Sequence, residues 1–425
     1  MVMVEVTWRS RRSLGLLVVL ALAAGAGVTW WLTRPDPQDG ERVSGPHGAY
    51  PAALGTGAPA APDHFVRKVD NAVAVDGGLS FHETDENDDG SPEGLTARSL
   101  RTGTTYWHYK RGGNVIRAVR VVDGTAVLRY DDGTLIAIDA RSAEQRWQQD
   151  LPKKSRFGDR LWTANGVVAT YAGDELIAVD LTTGKRAWTA DVPESCDLGD
   201  VVFILGTAFG VEATCGSGPR PEDVVLGIDA RRGTVRWRHP DWMGGLRYLP
   251  LTDHTVYAPH WNNTDRGAVI DVSGTKPVIH TAPDPDLAWD GQNRTTVLTT
   301  FGKEGERWKE NNVLRARGTD DGRVQWTRHA PKDRRFGRAL VADGRVYVVE
   351  QPQESRQRAP ERGPARLLAL DLTSGKPLHT APIPVPDRED SEDSLDVRAV
   401  RDGIVAVGWQ GVPGDAADSL TIVSD

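Results

Sequence analysis

The residues with the most evident chemistry form an acidic stretch near residue 90. It places four oxygen-bearing side chains around a glycine: Asp85, Asn87, Asp89 and Glu93. Alternating oxygen ligands wrapped around a glycine turn are how short loops chelate calcium. The twelfth position of the stretch is Thr96 and not glutamate, so the stretch is not an EF-hand. It is a candidate calcium site, and a solvated acidic turn without a bound ion is the alternative.

The two cysteines of the chain, Cys196 and Cys215, flank an apolar segment at 201–205 and a turn at 206–210. A hairpin centred near Gly206 would bring the two cysteines opposite each other. Outside the cytoplasm such a pair usually oxidises, so a disulfide is predicted, with two buried free thiols as the alternative. No histidine or cysteine spacing matches a zinc site.

Signatures of common enzymatic chemistry are missing from the sequence. It contains no G-x-S-x-G nucleophile elbow and no Walker A loop. The net charge is −8 and the basic residues are scattered. A nucleic-acid-binding protein needs a concentrated cationic surface, so nucleic acid is not an expected partner.

The N-terminal residues predict a membrane anchor. Residues 14–32 are nineteen uncharged, mostly apolar positions, which as a helix would span about 28 Å. Arg9, Arg11 and Arg12 precede this span, and basic flanks stay in the cytoplasm. Residues 1–13 are therefore predicted as a cytoplasmic tail and the rest as extracytoplasmic. A cleaved signal peptide ending near residues 24–26 is the alternative, and it places the rest of the chain in the same compartment.

Residues 33–63 are rich in proline, glycine and alanine and show no apolar periodicity. This composition is typical of a flexible linker. The folded domain is therefore predicted to span residues 64–425.

A repeated pattern fills this domain. Short apolar segments end in aspartate, as at Asp139, Asp180 and Asp229, and a tryptophan follows each aspartate after eight residues. Two degraded copies keep the tryptophan without the aspartate, and a third, at Asp271 and Gly274, keeps the aspartate and glycine without the tryptophan. The tryptophans of the repeat are Trp107, Trp147, Trp188, Trp237 and Trp326.

Each copy is predicted to be a small antiparallel sheet. The aspartate can accept main-chain N–H bonds in a turn, and the glycine found four residues later in most copies supplies a positive φ. The tryptophan offers a large apolar face for packing on the neighbouring sheet. One small sheet cannot bury both of its faces, whereas a ring of sheets can. We therefore predict an all-β propeller in which the five tryptophans are structural.

The pattern apolar-Ala-apolar-Asp-x-x-x-Gly-x-x-x-Trp resembles the PQQ-like propeller repeat, and the resemblance covers about residues 64–425. Seven copies of the turn can be placed, and three further strands follow the last copy. If the strand predicted at 65–69 completes this final sheet, the ring closes with eight blades. If that strand begins the first blade instead, the ring has seven.

The resemblance implies two classes of function. The chain is similar to the propeller lipoproteins of outer-membrane β-barrel assembly, which present loops to protein partners, although it lacks a lipidation cysteine. This implies a non-catalytic scaffold with no cofactor and an unidentified extracytoplasmic protein partner. Quinone-dependent dehydrogenases share the propeller but carry adjacent cysteines, whereas here the cysteines lie nineteen residues apart. Catalysis is therefore not expected. An extracytoplasmic sensor or a glycan-binding propeller is a further alternative.

Overall fold

The computed structural model describes most of the chain after residue 40. The described ranges are 41–85, 91–153, 158–217, 221–240, 248–250, 254–258, 267–274, 276–282, 286–289, 295–300, 312–318, 323–352, 364–384, 395–409 and 417–425. Within them no helix is long and apolar enough to cross a membrane. The span predicted at 14–32 lies outside the described residues.

The described residues form antiparallel sheets that follow one another along the chain. The first strands are β1 (Glu41–Ser44), β2 (His64–Asp76), β3 (Leu79–Asp85), β4 (Pro92–Ser99) and β5 (Thr105–Arg111). A four-stranded sheet follows with β6 (Ile116–Val122), β7 (Thr125–Tyr130), β8 (Thr134–Asp139) and β9 (Gln145–Asp150). The next contains β10 (Trp162–Ala164), β11 (Val167–Ala172), β12 (Glu175–Asp180) and β13 (Arg186–Thr189).

The middle of the chain repeats this arrangement. One sheet contains β14 (Cys196–Ile204), β15 (Ala208–Cys215), β16 (Glu222–Asp229) and β17 (Val235–Pro240). Another contains β18 (Leu249–Pro250), β19 (Thr255–Ala258), β20 (Gly267–Asp271) and β21 (Val278–Ala282). A third contains β22 (Asp286–Trp289), β23 (Thr295–Thr300), β24 (Val313–Gly318) and β25 (Val324–His329).

The last strands complete the pattern. One sheet contains β26 (Arg334–Phe336), β27 (Leu340–Ala342), β28 (Arg345–Pro352), β29 (Arg366–Asp371) and β30 (Pro377–Pro382). The final strands are β31 (Leu395–Arg401), β32 (Ile404–Trp409) and β33 (Ala417–Ser424).

Strand β2 joins the two ends of the domain. Its first half pairs with β33, from His64 opposite Ser424 to Ala72 opposite Ala417. Its second half pairs with β3. The resulting eight-stranded sheet has the order β1-β5-β4-β3-β2-β33-β32-β31, so it contains two four-stranded units that share β2. The strand predicted at 65–69 therefore pairs with the last strand of the chain.

Successive sheets meet through their first strands. Strand β6 contacts β2 and β10, β14 contacts β10 and β18, and β18 contacts β22, while β31 is contacted by both β27 and the neighbouring β28. The predicted all-β fold is confirmed, and the sheet order is that expected of a β-propeller.

The aspartates of the repeat organise the turn between the third and fourth strands. Asp139 Oδ1 accepts N–H bonds from Arg141 and Ser142, at 2.8 and 2.9 Å. At Asp371, hydrogen bonds from the Ser374 and Thr373 side chains and main chain lower the pKa to about 2. The side chain of Asp371 is therefore ionised when it holds the turn.

The repeat tryptophans connect each sheet to the next. Each lies buried on the last strand of its sheet. Four indole Nε1 atoms donate to carbonyls of the following sheet: Trp107 to Ala140 at 2.8 Å, Trp147 to Leu181 at 2.8 Å, Trp188 to Ala230 at 2.9 Å and Trp326 to Leu372 at 2.8 Å. Trp237 stacks on Phe203, with ring centroids 6.1 Å apart, and its Nε1 has no acceptor among the described residues.

Glycine in the receiving turn makes room for the indole. A Cβ on Gly184 would lie 2.5 Å from Trp147, and one on Gly233 would lie 2.8 Å from Trp188. Both glycines have a positive φ near 70°. In the second sheet Ala143 adopts this left-handed conformation instead, with φ of 59°.

Arg67 occupies the tryptophan position on β2. A β-bulge separates Phe65 from Arg67 on β2. An equivalent bulge separates Gln145 from Trp147 on β9. The guanidinium Nη2 of Arg67 donates to the Thr102 carbonyl at 3.0 Å and lies against Gly103. Arg67 therefore docks the final unit on the turn of the first, where a tryptophan does so elsewhere.

The indole contact can be tested by adding a methyl group to the receiving turn. Gly184→Ala places a Cβ 2.5 Å from Trp147, whereas Gly173→Ala, at φ of 68°, meets nothing within 4 Å. Both variants pay the left-handed cost of alanine, but only the first also overpacks the contact. We expect Gly184→Ala to lose about 1–3 kcal/mol of unfolding free energy beyond the control in urea titrations. Equal losses would show that the indole contact contributes nothing.

Candidate protein-binding face

The connections between strands emerge at two ends of each sheet. One end of each sheet carries the connection from its second to its third strand and the connection to the next sheet. We call this end the loop face. The turn face carries the remaining connections. Turn-face hairpins are tight, as at Asp123-Gly124 and Asp343-Gly344. Apart from 45–63, the longest connections between the named strands belong to the loop face, at 301–312, 353–365 and 383–394.

The disulfide lies at the loop face of the fourth sheet. Cys196 begins β14 and Cys215 ends β15, and the two are directly opposite in the register. Their sulfurs are bonded, with Cα atoms 4.0 Å apart. The Gly216 N–H also donates to the Ser195 carbonyl at 2.7 Å. The predicted disulfide is confirmed, and it ties together the bases of two loop-face connections.

A buried arginine holds the loop face of the second and third sheets together. Arg129 on β7 is fully buried, and its Nε lies 2.9 Å from Asp159 Oδ1 in the connection before β10. Its Nη1 donates to the Thr170 hydroxyl at 2.5 Å and to the Tyr171 carbonyl at 2.7 Å. Burial lowers the pKa of Arg129, and the Asp159 carboxylate opposes this shift. The guanidinium therefore stays charged and bridges two sheets.

A second buried arginine lies where the first sheet meets the second. Arg111 ends β5 and pairs with Asp132 at 2.8 Å in the connection between β7 and β8. Its guanidinium carbon also lies 5.2 Å from the centre of the Tyr130 ring. Asp132 accepts the Thr134 N–H at 2.8 Å. Burial alone would raise the pKa of Asp132, but hydrogen bonds from Thr134 and the charge of Arg111 outweigh burial and lower it.

The later sheets use the same device. Glu350 on β28 is buried and lies 2.7 Å from Arg334 Nε on β26. The Gln351 side chain accepts the Leu395 N–H at 2.9 Å and donates to the Leu395 carbonyl at 3.3 Å. The loops of this face are therefore rooted on charged and amide groups that are paired inside the protein.

The candidate calcium stretch also lies at the loop face. Asp85 ends β3 and Glu93 lies near the start of β4, while Asn87 and Asp89 lie outside the described residues. Glu93 is buried and its carboxylate lies 3.1 Å from Lys110 Nζ. Within the described ranges no three His, Cys, Asp or Glu side chains are placed to hold a metal.

Calcium binding at this stretch stays a prediction that calorimetry can test. Binding heat on titration of calcium into the full-length protein, abolished by Asp89→Ala, would support the site. A heat unchanged by Asp89→Ala, or no heat at all, would leave the solvated acidic turn. Glu194→Ala, at an exposed position of the loop face, serves as the control.

The docked sheets, each with an aspartate–glycine turn that receives the aromatic of its neighbour, define a β-propeller of PQQ-like repeats. A family model described as "Outer membrane protein assembly factor BamB" matches residues 18–201 and 221–417. The chain belongs to this family. The resemblance predicted from the repeat is therefore confirmed.

Comparison with solved structures gives matches at low sequence identity. BamB from Moraxella catarrhalis is 12% identical, covers 85% of this chain and all of its own, with a TM-score of 0.49. The computationally designed Ika8 protein is 11% identical, covers 89% of this chain and all of its own, with a TM-score of 0.50. A europium-containing methanol dehydrogenase is 14% identical, covers 91% and 93% of the two chains, with a TM-score of 0.44. No curated protein sequence shows significant similarity to the chain.

Sequence reasoning missed the residues that root the loop face. From the sequence alone, the charged side chains of Arg129 and Arg111 are expected to face solvent. A signal existed for Arg129, because it interrupts an otherwise apolar strand whose next residue is Tyr130. For Arg67 no comparable signal exists, because the residues around it do not show the spacing of aspartate, glycine and tryptophan that marks the repeat.

The contribution of the buried arginine can be measured against a neighbouring exposed pair. Arg129→Met leaves Asp159 and the Thr170 hydroxyl without their cation, and we expect a loss of about 3–5 kcal/mol in unfolding free energy. Arg160→Met removes an ion pair with Asp200 in which Arg160 is 65% exposed. That control is expected to lose no more than about 1 kcal/mol. Similar losses in the two variants would contradict a structural role for Arg129.

Proposed function

We propose that this protein is a membrane-anchored extracytoplasmic propeller of eight blades that binds a protein partner through its loop face. Family membership carries the proposal, because the matching model describes an outer membrane protein assembly factor. Assembly requires contact with other proteins. We propose no catalytic step.

The eight-blade count rests on strand pairing. Six sheets are separate in the sheet order, and the eight-stranded sheet contains two four-stranded units that share β2. A seven-bladed ring would leave β31, β32 and β33 without a fourth strand, which β2 supplies. Pairing of the two chain ends in one unit favours a closed ring, because it removes the exposed edges of both.

The proposed location rests on the N-terminal residues and on the disulfide. The uncharged span at 14–32 follows three arginines, which favours a cytoplasmic N-terminus. The Cys196–Cys215 bond is typical of proteins outside the cytoplasm. A cleaved signal peptide would give the same compartment without the anchor.

The choice of the loop face rests on its shape and its support. Its long connections offer variable surface, and loops on a rigid scaffold are where binding residues concentrate. The buried pairs of Arg129, Arg111 and Arg334 fix the bases of these loops. The turn face offers tight hairpins and, over several sheets, is covered by residues 45–63.

A quinone-dependent enzyme is the competing function. The resemblance to such enzymes implies two adjacent cysteines stacked on the cofactor. Here Cys196 and Cys215 pair with each other across two neighbouring strands. This favours the binding function over the enzymatic one.

Site-specific photocrosslinking tests the proposed face. A photoreactive phenylalanine analogue replaces Lys153 or Glu194 on the loop face, and Lys185 or Arg231 on the turn face, all of which are exposed. In the native host we expect a discrete protein adduct from the loop-face positions and none from the turn-face positions. Adducts from the turn face alone, or equal adducts from both faces, would refute the assignment.

A direct assay separates the enzymatic alternative. The purified full-length protein is incubated with pyrroloquinoline quinone and calcium, and dye reduction is followed with alcohols and sugars. The scaffold proposal expects no rate above that of the protein without quinone. Substrate-dependent reduction would overturn it.

A further inference from the structure

Residues 45–63 cross the turn face instead of forming a free spacer, and we call this segment the clasp. It follows β1, which pairs with β5 from Glu41 opposite Arg111 to Ser44 opposite His108. The chain then turns under the first sheet, where the His47 N–H donates to the Tyr106 carbonyl at 2.7 Å. Part of the segment predicted as a flexible linker is thus in contact with the propeller.

Main-chain hydrogen bonds hold the middle of the clasp to two turn-face hairpins. The Gly55 N–H donates to the Asp402 carbonyl at 3.0 Å, and the Gly403 N–H donates to the Gly57 carbonyl at 2.8 Å. These bonds resemble a short added strand at the hairpin between β31 and β32. The Ala58 N–H donates to Asp343 Oδ2 at 2.7 Å, at the hairpin between β27 and β28.

Apolar side chains of the clasp reach three separate parts of the core at intervals of four residues. Tyr50 packs on the cluster between the first two sheets, and Arg141 lies 4.2 Å from the centre of its ring. Leu54 packs on the cluster around β2, β32 and β33. Ala58 packs on the cluster between β28 and the final strands. One short segment therefore contributes to three cores.

The end of the clasp is fastened beside the last strand. Asp425 accepts N–H bonds from Ala60 and Ala61, at 2.9 and 2.6 Å. The Tyr347 hydroxyl donates to the Pro59 carbonyl. Burial raises the pKa of Tyr347 to about 12, so this donor keeps its proton over the physiological range.

These contacts lie on both sides of the pairing between β2 and β33, which we call the seam. Tyr50 contacts Tyr106 in the first sheet, with ring centroids 5.7 Å apart. Ala58 contacts Asp343 in the sheet that precedes β31. At the seam, segments far apart in sequence are held by strand pairing and by an ion pair between Arg401 and Asp76 at 3.5 Å, without a covalent connection across it. Such edges are where local opening is expected to begin.

We propose that the clasp holds the seam closed and covers the turn face beside it, so that access to this region is from the loop face. The clasp acts across the seam because it is bonded to the sheets on either side. Opening the seam requires breaking the clasp contacts first. This device does not depend on what the loop face binds.

Hydrogen exchange on the full-length protein tests the clasp with a matched pair of variants. Asp343→Gly removes the carboxylate that accepts the Ala58 N–H, and glycine tolerates the φ of 47° found there. Asp123→Gly changes the same turn position, also at φ of 47°, in the second sheet, where the clasp makes no described hydrogen bond. Mass spectrometry follows the amides of 64–70 and 420–424 at the seam and those of 167–180 in the third sheet.

We expect Asp343→Gly to accelerate exchange at the seam about five- to tenfold, as for loss of one hydrogen bond, with the third sheet unchanged. Asp123→Gly should leave the seam unchanged. Tyr50→Ala is the second variant, and it should accelerate the same seam amides because it detaches the other end of the clasp. Unchanged seam exchange in both clasp variants, or equal acceleration in the third sheet, would overturn the proposal.

Discussion

The contact between an outer aromatic and the turn of the next sheet is the interaction on which the propeller depends. Each group satisfies the other, because the buried indole N–H requires a hydrogen-bond acceptor and the turn is covered by the apolar face of the indole. The aspartate fixes the turn so that its carbonyl faces the indole, and the glycine gives the ring space to approach. Repetition of this contact fixes each sheet against the next. Where tryptophan is missing, Arg67 supplies a donor of similar reach.

The loop face depends on a different physical constraint. Charged side chains at the loop-face ends of several strands are buried, and buried charges are tolerated when each is paired. Arg129 meets this condition with a carboxylate, a hydroxyl and a carbonyl at once. Because its partners come from the following sheet, satisfying the charge also fixes the angle between sheets. These paired charges therefore fix the base of the proposed binding surface.

Much of the fold could be predicted because the repeat carries its own physical reason. The spacing of Asp139 and Trp147 specifies a turn and a docking residue within eight positions, and the cysteine pair followed from one hairpin. Contacts between distant segments could not be predicted in this way. The clasp is rich in proline, alanine and glycine, which is typical of a linker, and its bonds are mostly made by the main chain. Backbone bonds to hairpins 285 or more residues away, as from Ala58 to Asp343, leave no trace in a local pattern.

Strand β1 has a mechanical consequence. A pull along the chain before Glu41 reaches β1 first, and β1 lies antiparallel to β5 over four residue pairs. A force directed along this strand would load its cross-strand hydrogen bonds together in shear, since these bonds lie perpendicular to the strands. Bonds loaded together resist better than bonds broken one after another. A force on the N-terminal side of the propeller would thus be borne by the pairing of β1 with β5, at the edge of the first sheet.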